Sequence, residues 1–366
     1  MRKLLFYVAA ALCMTACQND DTDMSDYTTP KAIYIDYNGT TATVTGDTQG
    51  IVSVSGAHVT VNSQTADSLL LVLSGSTSNG SLLVFRNEAR RYAIMLNNVK
   101  ITNPSGPAIN NQCGKALYVK IPAGTSNSLA DGAEYTERTY QQKGTLFSEG
   151  QIYFSGSGKL SINANCKNAI ASDDYVCIAD NVVINTATAS TGSNGIKVND
   201  GLYIQGGTVT IDVLSDAGRG IKCDSAIYIT GGNTTISTSG DCVFDTEEND
   251  FSSAACIKCD YDFNMTGGTL TLQSSGDGGK GINCSGNVNI CGGSFAAVTN
   301  GSNINAKPKA VKGSGITVSG GSFYAKVNKS WACDNGTDSD IPADRITVSG
   351  TPATSSIEKK LVNIVF

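Results

Sequence analysis

The sequence predicts an all-β chain: a single parallel β-helix closed by terminal caps. Three observations lead there. The first is composition. The 366 residues include 40 Gly and only 7 Pro, and charged residues make up 16%, which suits many short strands joined by turns. The second is repetition. "GIKVNDGLYIQGG" (195–207) returns as "GIKCDSAIYITGG" (220–232), "CIKCDYDFNMTGG" (256–268), "GINCSGNVNICGG" (281–293) and "AVKGSGITVSGG" (310–321), after an earlier "AIASDDYVCI" (169–178). Ile170 and Ile196 lie 26 residues apart, while Ile196 to Ile221 and Ile257 to Ile282 are each 25. Two longer gaps hold the loop-like inserts "DTEENDFSSA" and "NGSNINAKPK". A fixed period with insertions confined to turns is a solenoid signature.

The third observation is alternation by two inside each unit, the period of a strand. Ile221 and Cys223 share one side and Lys222 and Asp224 the other. After a turn, Ile227 and Ile229 point one way and Tyr228 the opposite way. A third strand follows the Gly-Gly pair. Each unit is therefore strand, turn, strand, Gly-Gly turn, strand. Helical repeats are excluded by the glycines and β-branched residues. Stacked coils place equivalent residues above one another, so the inner columns are expected to be Ile196, Ile221, Ile257, Ile282 and Val311, and Val198, Cys223, Cys259 and Cys284. Val209 with Ile211, Leu270 with Leu272 and Phe295 with Ala297 complete the core. About a dozen coils are expected.

The domain reading is a lipoprotein signal peptide at 1–16, an acidic polar tether at 17–30, the β-helix at 31–342 and C-terminal capping strands at 343–366, ending in "LVNIVF". Arg2 and Lys3 precede an apolar run from Leu4 to Leu12, too short to span a bilayer. "MTAC" resembles a lipobox, with Cys17 as the acylated residue, although Met14 departs from the usual Leu. The alternative is an ordinary secretory signal. "QNDD" after Cys17 resembles the surface-export signal of some Gram-negative lipoproteins. The expectation is an outer-membrane lipoprotein exposed at the cell surface and held by its lipid alone.

A net charge of −6 gives no basis for a nucleic-acid partner. The single His, His58, excludes a Ser-His-Asp triad, a multi-histidine zinc site and an HExxH helix. It lies in an alternating strand pattern and is expected to carry no chemistry. Secretion permits disulfides, yet Cys and Val interchange in one inner column. The mature cysteines are therefore expected to be mostly reduced packing residues, with a bridge between adjacent coils sterically allowed.

At this point the chain resembles a known family. "LNNVKITNPSGPAI" (96–109), "IPAGTSNSLADG" (121–132), "GTLFSEGQIYFSGSGKLSI" (144–162) and the "GIKxxxxLYIxGG" coils are similar to secreted bacterial carbohydrate-binding β-helix proteins, which share their fold with calcium-dependent pectate lyases. The resemblance covers residues 31–340. It implies a right-handed β-helix that binds Ca²⁺ and acidic or cellulosic polysaccharide, with no established catalysis. One departure is that family coils read "DGI" before the inward Ile, where this chain has "GRGI", "GKGI" and "SNGI".

Candidate sites follow, each beside a plainer reading. Asp216 and Asp277 stand four residues before a repeat Gly; Asp241 and Asp245 fall at a similar turn, just before Glu247, Glu248 and Asp250. Stacked turns would gather such carboxylates into oxygen ligands for calcium, and Asp216, Asp241, Asp245, Asp277, Glu247 and Asp250 are the candidates. The plainer reading is that Asp suits turns. Lys197, Lys222 and Lys258 form an outward column beside Asn199, Asp224 and Asp260: solvated ion pairs, an attractor for acidic glycan, or the base of a lyase. Tyr203 and Tyr228 belong to an outward aromatic series with Tyr153, interrupted by Cys177 and continued by Asn264 and Asn289. They stack either on sugars or on one another. Trp331 is read as cap packing. The expected function is calcium-assisted, non-catalytic binding of polysaccharide at the cell surface. The alternatives are a calcium-dependent polysaccharide lyase acting on uronates and a structural adhesin that recognises protein.

Overall fold

A computed structural model describes residues 32–64, 68–87, 92–303, 305–327, 333–334, 346–348 and 354–359. The described residues contain strands and turns with no helix, wound into a β-solenoid of about 10 turns. Each central coil contributes three strands, for example Asn194–Val198, Gly201–Ile204 and Thr208–Val213, followed one coil later by Arg219–Cys223, Ile227–Ile229 and Asn233–Thr238. The three positions stack into three flat faces, called here the lysine, tyrosine and threonine faces after their outward residues. The lysine face is a 12-stranded sheet, and the other two are joined in a 22-stranded one.

Pairing is parallel and in register, as the repeat predicts. Ile170, Ile196, Ile221, Ile257, Ile282 and Val311 align in one column. Val198, Cys223, Cys259 and Cys284 align in the next. All of these side chains are buried, and each aliphatic one contributes about 1.5–3 kcal/mol before chain entropy is counted. The repeated Gly-Gly pair has a steric origin. Gly232 has φ +76°, and a Cβ there would lie 2.5 Å from the carbonyl oxygen of Gly206 in the coil below. Side chains rarely adopt that conformation.

The N-terminal end is covered by two antiparallel hairpins, Ala32–Asn38 with Thr41–Thr45 and Val52–Ser55 with Ala57–Ser63. Of the segment expected to cap the other end, Ile346–Val348 and Thr354–Lys359 pair in parallel on Ile316–Val318 and Ser322–Val327. They continue the stack by another coil. The 243–252 part of the first insert is an antiparallel hairpin, not a plain loop, held by an edge-on contact between Phe244 and Phe251 at 5.2 Å. Cys17, Trp331 and the terminal "LVNIVF" lie outside the described residues. Nine described cysteines are thiols outside any disulfide, and Cys259 Sγ lies 3.1 Å from Cys284 Sγ in the next coil.

Candidate functional site

The lysine and tyrosine candidates stand on two different faces. Lys197, Lys222 and Lys258 point outward from the lysine face, one coil apart. Tyr203 and Tyr228 stand across the corner formed by residues 199–200 and their equivalents. The two sets therefore flank an edge and do not line one pocket.

On the lysine face the electrostatics change along the column. Lys197 Nζ donates to Asp224 Oδ2 at 2.5 Å and to Asn199 Oδ1 at 2.8 Å. Lys222 Nζ stands 3.8 Å from Asp224 Oδ1. Asp224 thus serves two lysines, and those pairs fix the corner. Lys258 differs. Burial, followed by the charges of Arg219 and Lys222, holds its ammonium below the usual lysine range, with Asp260 and Asp224 opposing. Arg219 is held below the arginine range by burial. Its guanidinium donates to Ser252 Oγ at 2.9 Å on the insert hairpin, and its Nε has no partner among the described residues. Cation density therefore gathers around Lys258, beside the hairpin residue Ser252 that receives the Arg219 bond, with Asp224 and Asp260 as the opposing charges.

Sequence reasoning missed two further cations in that region. Lys280 and Lys309 continue the register position of Arg219 through Ala255, and both are buried. Lys280 Nζ donates to Ser253 Oγ at 2.5 Å and to the Ala306 carbonyl at 3.2 Å, so the two inserts close over it. Burial pulls its pKa down to about 8. The available signal was a basic residue just before the repeat Gly, in "GRGI" and "GKGI".

The tyrosine column is longer than the repeat suggested. Tyr118 stacks on Tyr153 at 4.9 Å and Tyr203 on Tyr228 at 5.2 Å, with interplanar angles of 11° and 6°. Tyr175 bridges the pairs edge-on, at 5.6 and 5.8 Å. It fills the gap expected at Cys177, because its ring reaches across from an offset position in the strand. Beyond Tyr228 the column continues as Asn264 and Asn289, joined by a 3.0 Å amide hydrogen bond. Tyr203 and Tyr228 cover each other's facing ring surfaces, so their first role is to tie coils together.

The acidic candidates divide into two groups. Asp216, Asp241 and Asp277 form a ladder: Asp216 Oδ1 accepts from the Asp241 N–H at 2.9 Å, and Asp241 Oδ1 from the Asp277 N–H at 2.8 Å. Asp277 Oδ1 accepts from the Ser302 N–H and hydroxyl at 2.8 and 2.7 Å. These bonds hold the Asp277 carboxyl below the usual range. Asp245 Oδ1 accepts from the Glu247 and Glu248 N–H groups, and Asp250 Oδ1 from the Phe251 N–H. Among the described residues no group of three or more His, Cys, Asp and Glu side chains is placed to hold a metal ion. The six candidates thus do not form one ligand set, and the carboxylates of Asp216, Asp241, Asp245, Asp250 and Asp277 serve the turns.

Comparison with known proteins agrees with this architecture. The profile of the family described as "Carbohydrate-binding domain-containing protein" matches residues 55–330, and the chain belongs to that family. A relative of the same description from Acetivibrio thermocellus is 25% identical over 119 residues, 31% of this chain. The match spans 42% of that relative's length. A solved structure of the polysaccharide lyase-like protein from C. thermocellum, a gadolinium derivative, has the same fold. Its TM-score is 0.58 at 23% identity, covering 72% of this chain and 100% of the other.

Proposed function

We propose that the protein binds polysaccharide without cleaving it, and that an extended acidic glycan lies along the lysine face with its carboxylates near Lys222, Lys258 and Arg219. The observation that carries this reading is the straight outward lysine column, in which Lys197 and Lys222 form ion pairs with Asp224 and Lys258, among the described residues, forms none. Successive coils repeat at about 4.8 Å, so the column offers evenly spaced donors to a linear chain. Family membership supports the carbohydrate ligand.

The test is a binding panel with polygalacturonate and cellulose. Lys258→Ala should weaken polygalacturonate binding about tenfold, the worth of one charge-assisted hydrogen bond. Unchanged binding would remove the lysine face from the reading. Calcium has no assigned role here, because the candidate carboxylates do not converge. A chelator should leave binding intact, and its loss would restore the cation. A lyase is the second reading, favoured by the depressed Lys258 ammonium, since a base needs a neutral amine. Release of unsaturated, ultraviolet-absorbing product would establish it. Anchoring through a lipid on Cys17 at the outer-membrane surface belongs to the same proposal. Cys17→Ala should leave the membrane fraction, and a variant that stays there overturns the anchor.

A further inference from the structure

The lysine face carries a second feature, at its N-terminal end. The outward row of Lys197 runs back through Ala171, Phe147 and Asn110 to Leu83 and Thr60. There the 132–143 segment crosses the sheet and encloses a cleft of about 130 Å³. His58, Ser81, Asn110, Arg138, Tyr140 and Gln142 are among its lining residues.

The cleft is a built feature. Asn110 is buried, and its amide donates to the Gln141 carbonyl at 3.0 Å, pinning the crossing segment to the sheet. Gln112 accepts from the Gln141 N–H at 3.0 Å. The Gln142 amide donates to the Thr136 carbonyl at 2.8 Å, and the Thr136 N–H to the Ser105 carbonyl at 2.9 Å. Tyr140 is half-buried and set edge-on to Phe85 at 6.4 Å. His58 Nδ1 lies 3.0 Å from Ser81 Oγ. Arg138 is exposed and has no ion-pair partner among the described residues.

We propose that this cleft is a glycan subsite that takes one carboxylated sugar unit at the end of a chain whose remainder follows the lysine row. The inference rests on the glycan-binding reading above. Its lining supports the ligand class: one planar guanidinium for a carboxylate, one aromatic ring for an apolar sugar face, and hydroxyl, imidazole and amide groups for ring hydroxyls. A phosphate group would call for several converging cations or a nest of backbone N–H groups, and the cleft offers a single arginine. Asn110 and Lys197 are three coils apart, about 14 Å; between them Phe147 and Ala171 are buried, with the Lys143 ammonium 5.6 Å over the Phe147 ring, so a short linear oligosaccharide reaching from the cleft to the lysines passes over Lys143.

The probes are oligogalacturonides of defined length, with cello-oligosaccharides as neutral counterparts, titrated calorimetrically. Arg138→Gln and Tyr140→Ala should each weaken a long oligogalacturonide about tenfold, with unfolding midpoints near that of the parent. Arg138→Gln should leave neutral chains unaffected. Equal loss for acidic and neutral chains overturns the carboxylate assignment. Parent-like binding by both variants, while Lys258→Ala is impaired, overturns the subsite and leaves the lysine-face reading standing. If the unaltered protein binds neither probe, both fall.

Discussion

Lys280 shows how a residue's position overrides its type. A charged amine is enclosed by two inserts, and its pKa falls from the usual 10.5 to about 8. Between those values the unfolded chain holds a proton that the folded chain has released. Stability therefore rises with pH across that window. Cys223 and Cys256, pushed up to about 12 by burial, act in the opposite sense above about 9. Denaturant titrations of Lys280→Met and the parent should thus converge as pH climbs from 8 to 10.5. A constant difference would show that Lys280 keeps its proton. None of this was legible in the sequence, where Lys280 is one more basic residue before a glycine. Tyr118 and Tyr175 were missed for a related reason. Tyr118 lies before the clear repeats, and Tyr175 reaches the column from an offset strand position.

The Gly-Gly corner and the Asp ladder set the behaviour of the coil as an element. Gly232→Ala should destabilise by about 1–3 kcal/mol, since a side chain there meets both a left-handed backbone and a carbonyl of the coil below. A parent-like denaturation midpoint would mean that the corner relaxes freely. Asp277, whose folded pKa is depressed by the Ser302 bonds, contributes stability that is present above the unfolded value. That contribution is lost as pH falls through the folded value, below the usual aspartate range near ~3.9. An Asp277→Asn variant should be less stable at neutral pH and approach the parent in acid. An offset that persists at low pH would show that the charge is irrelevant. The alternation that located the strands also located Asp216, Asp241 and Asp277 at turns. The direction of their hydrogen bonds, up the stack to the next coil, needed the fold.

Over the whole molecule, the proposed binding lies in surface rows. A net charge of −6 makes the protein acidic overall, yet one face carries a lysine column and buried cations beside it. The proposed attraction of an acidic chain to that face would therefore be local and salt-screened. Raising salt from 0.05 to 0.5 M should weaken polygalacturonate binding and spare neutral glycans. Insensitivity to salt would place recognition on hydrogen bonds and stacking, as the tyrosine face would provide.

The winding, the inner columns and the outward rows were readable before folding was considered, because a 25-residue period and strand alternation assign each residue a height and a side. Which of those charges are paired and which are covered came from the fold. The height of a side chain on a coil does not reveal whether its charge is already paired, as with Lys197, or covered by an insert, as with Lys280. The pairing at Lys197 depends on how its side chain turns towards Asp224 in the next coil, and the covering of Lys280 on where the non-repeating inserts fold back.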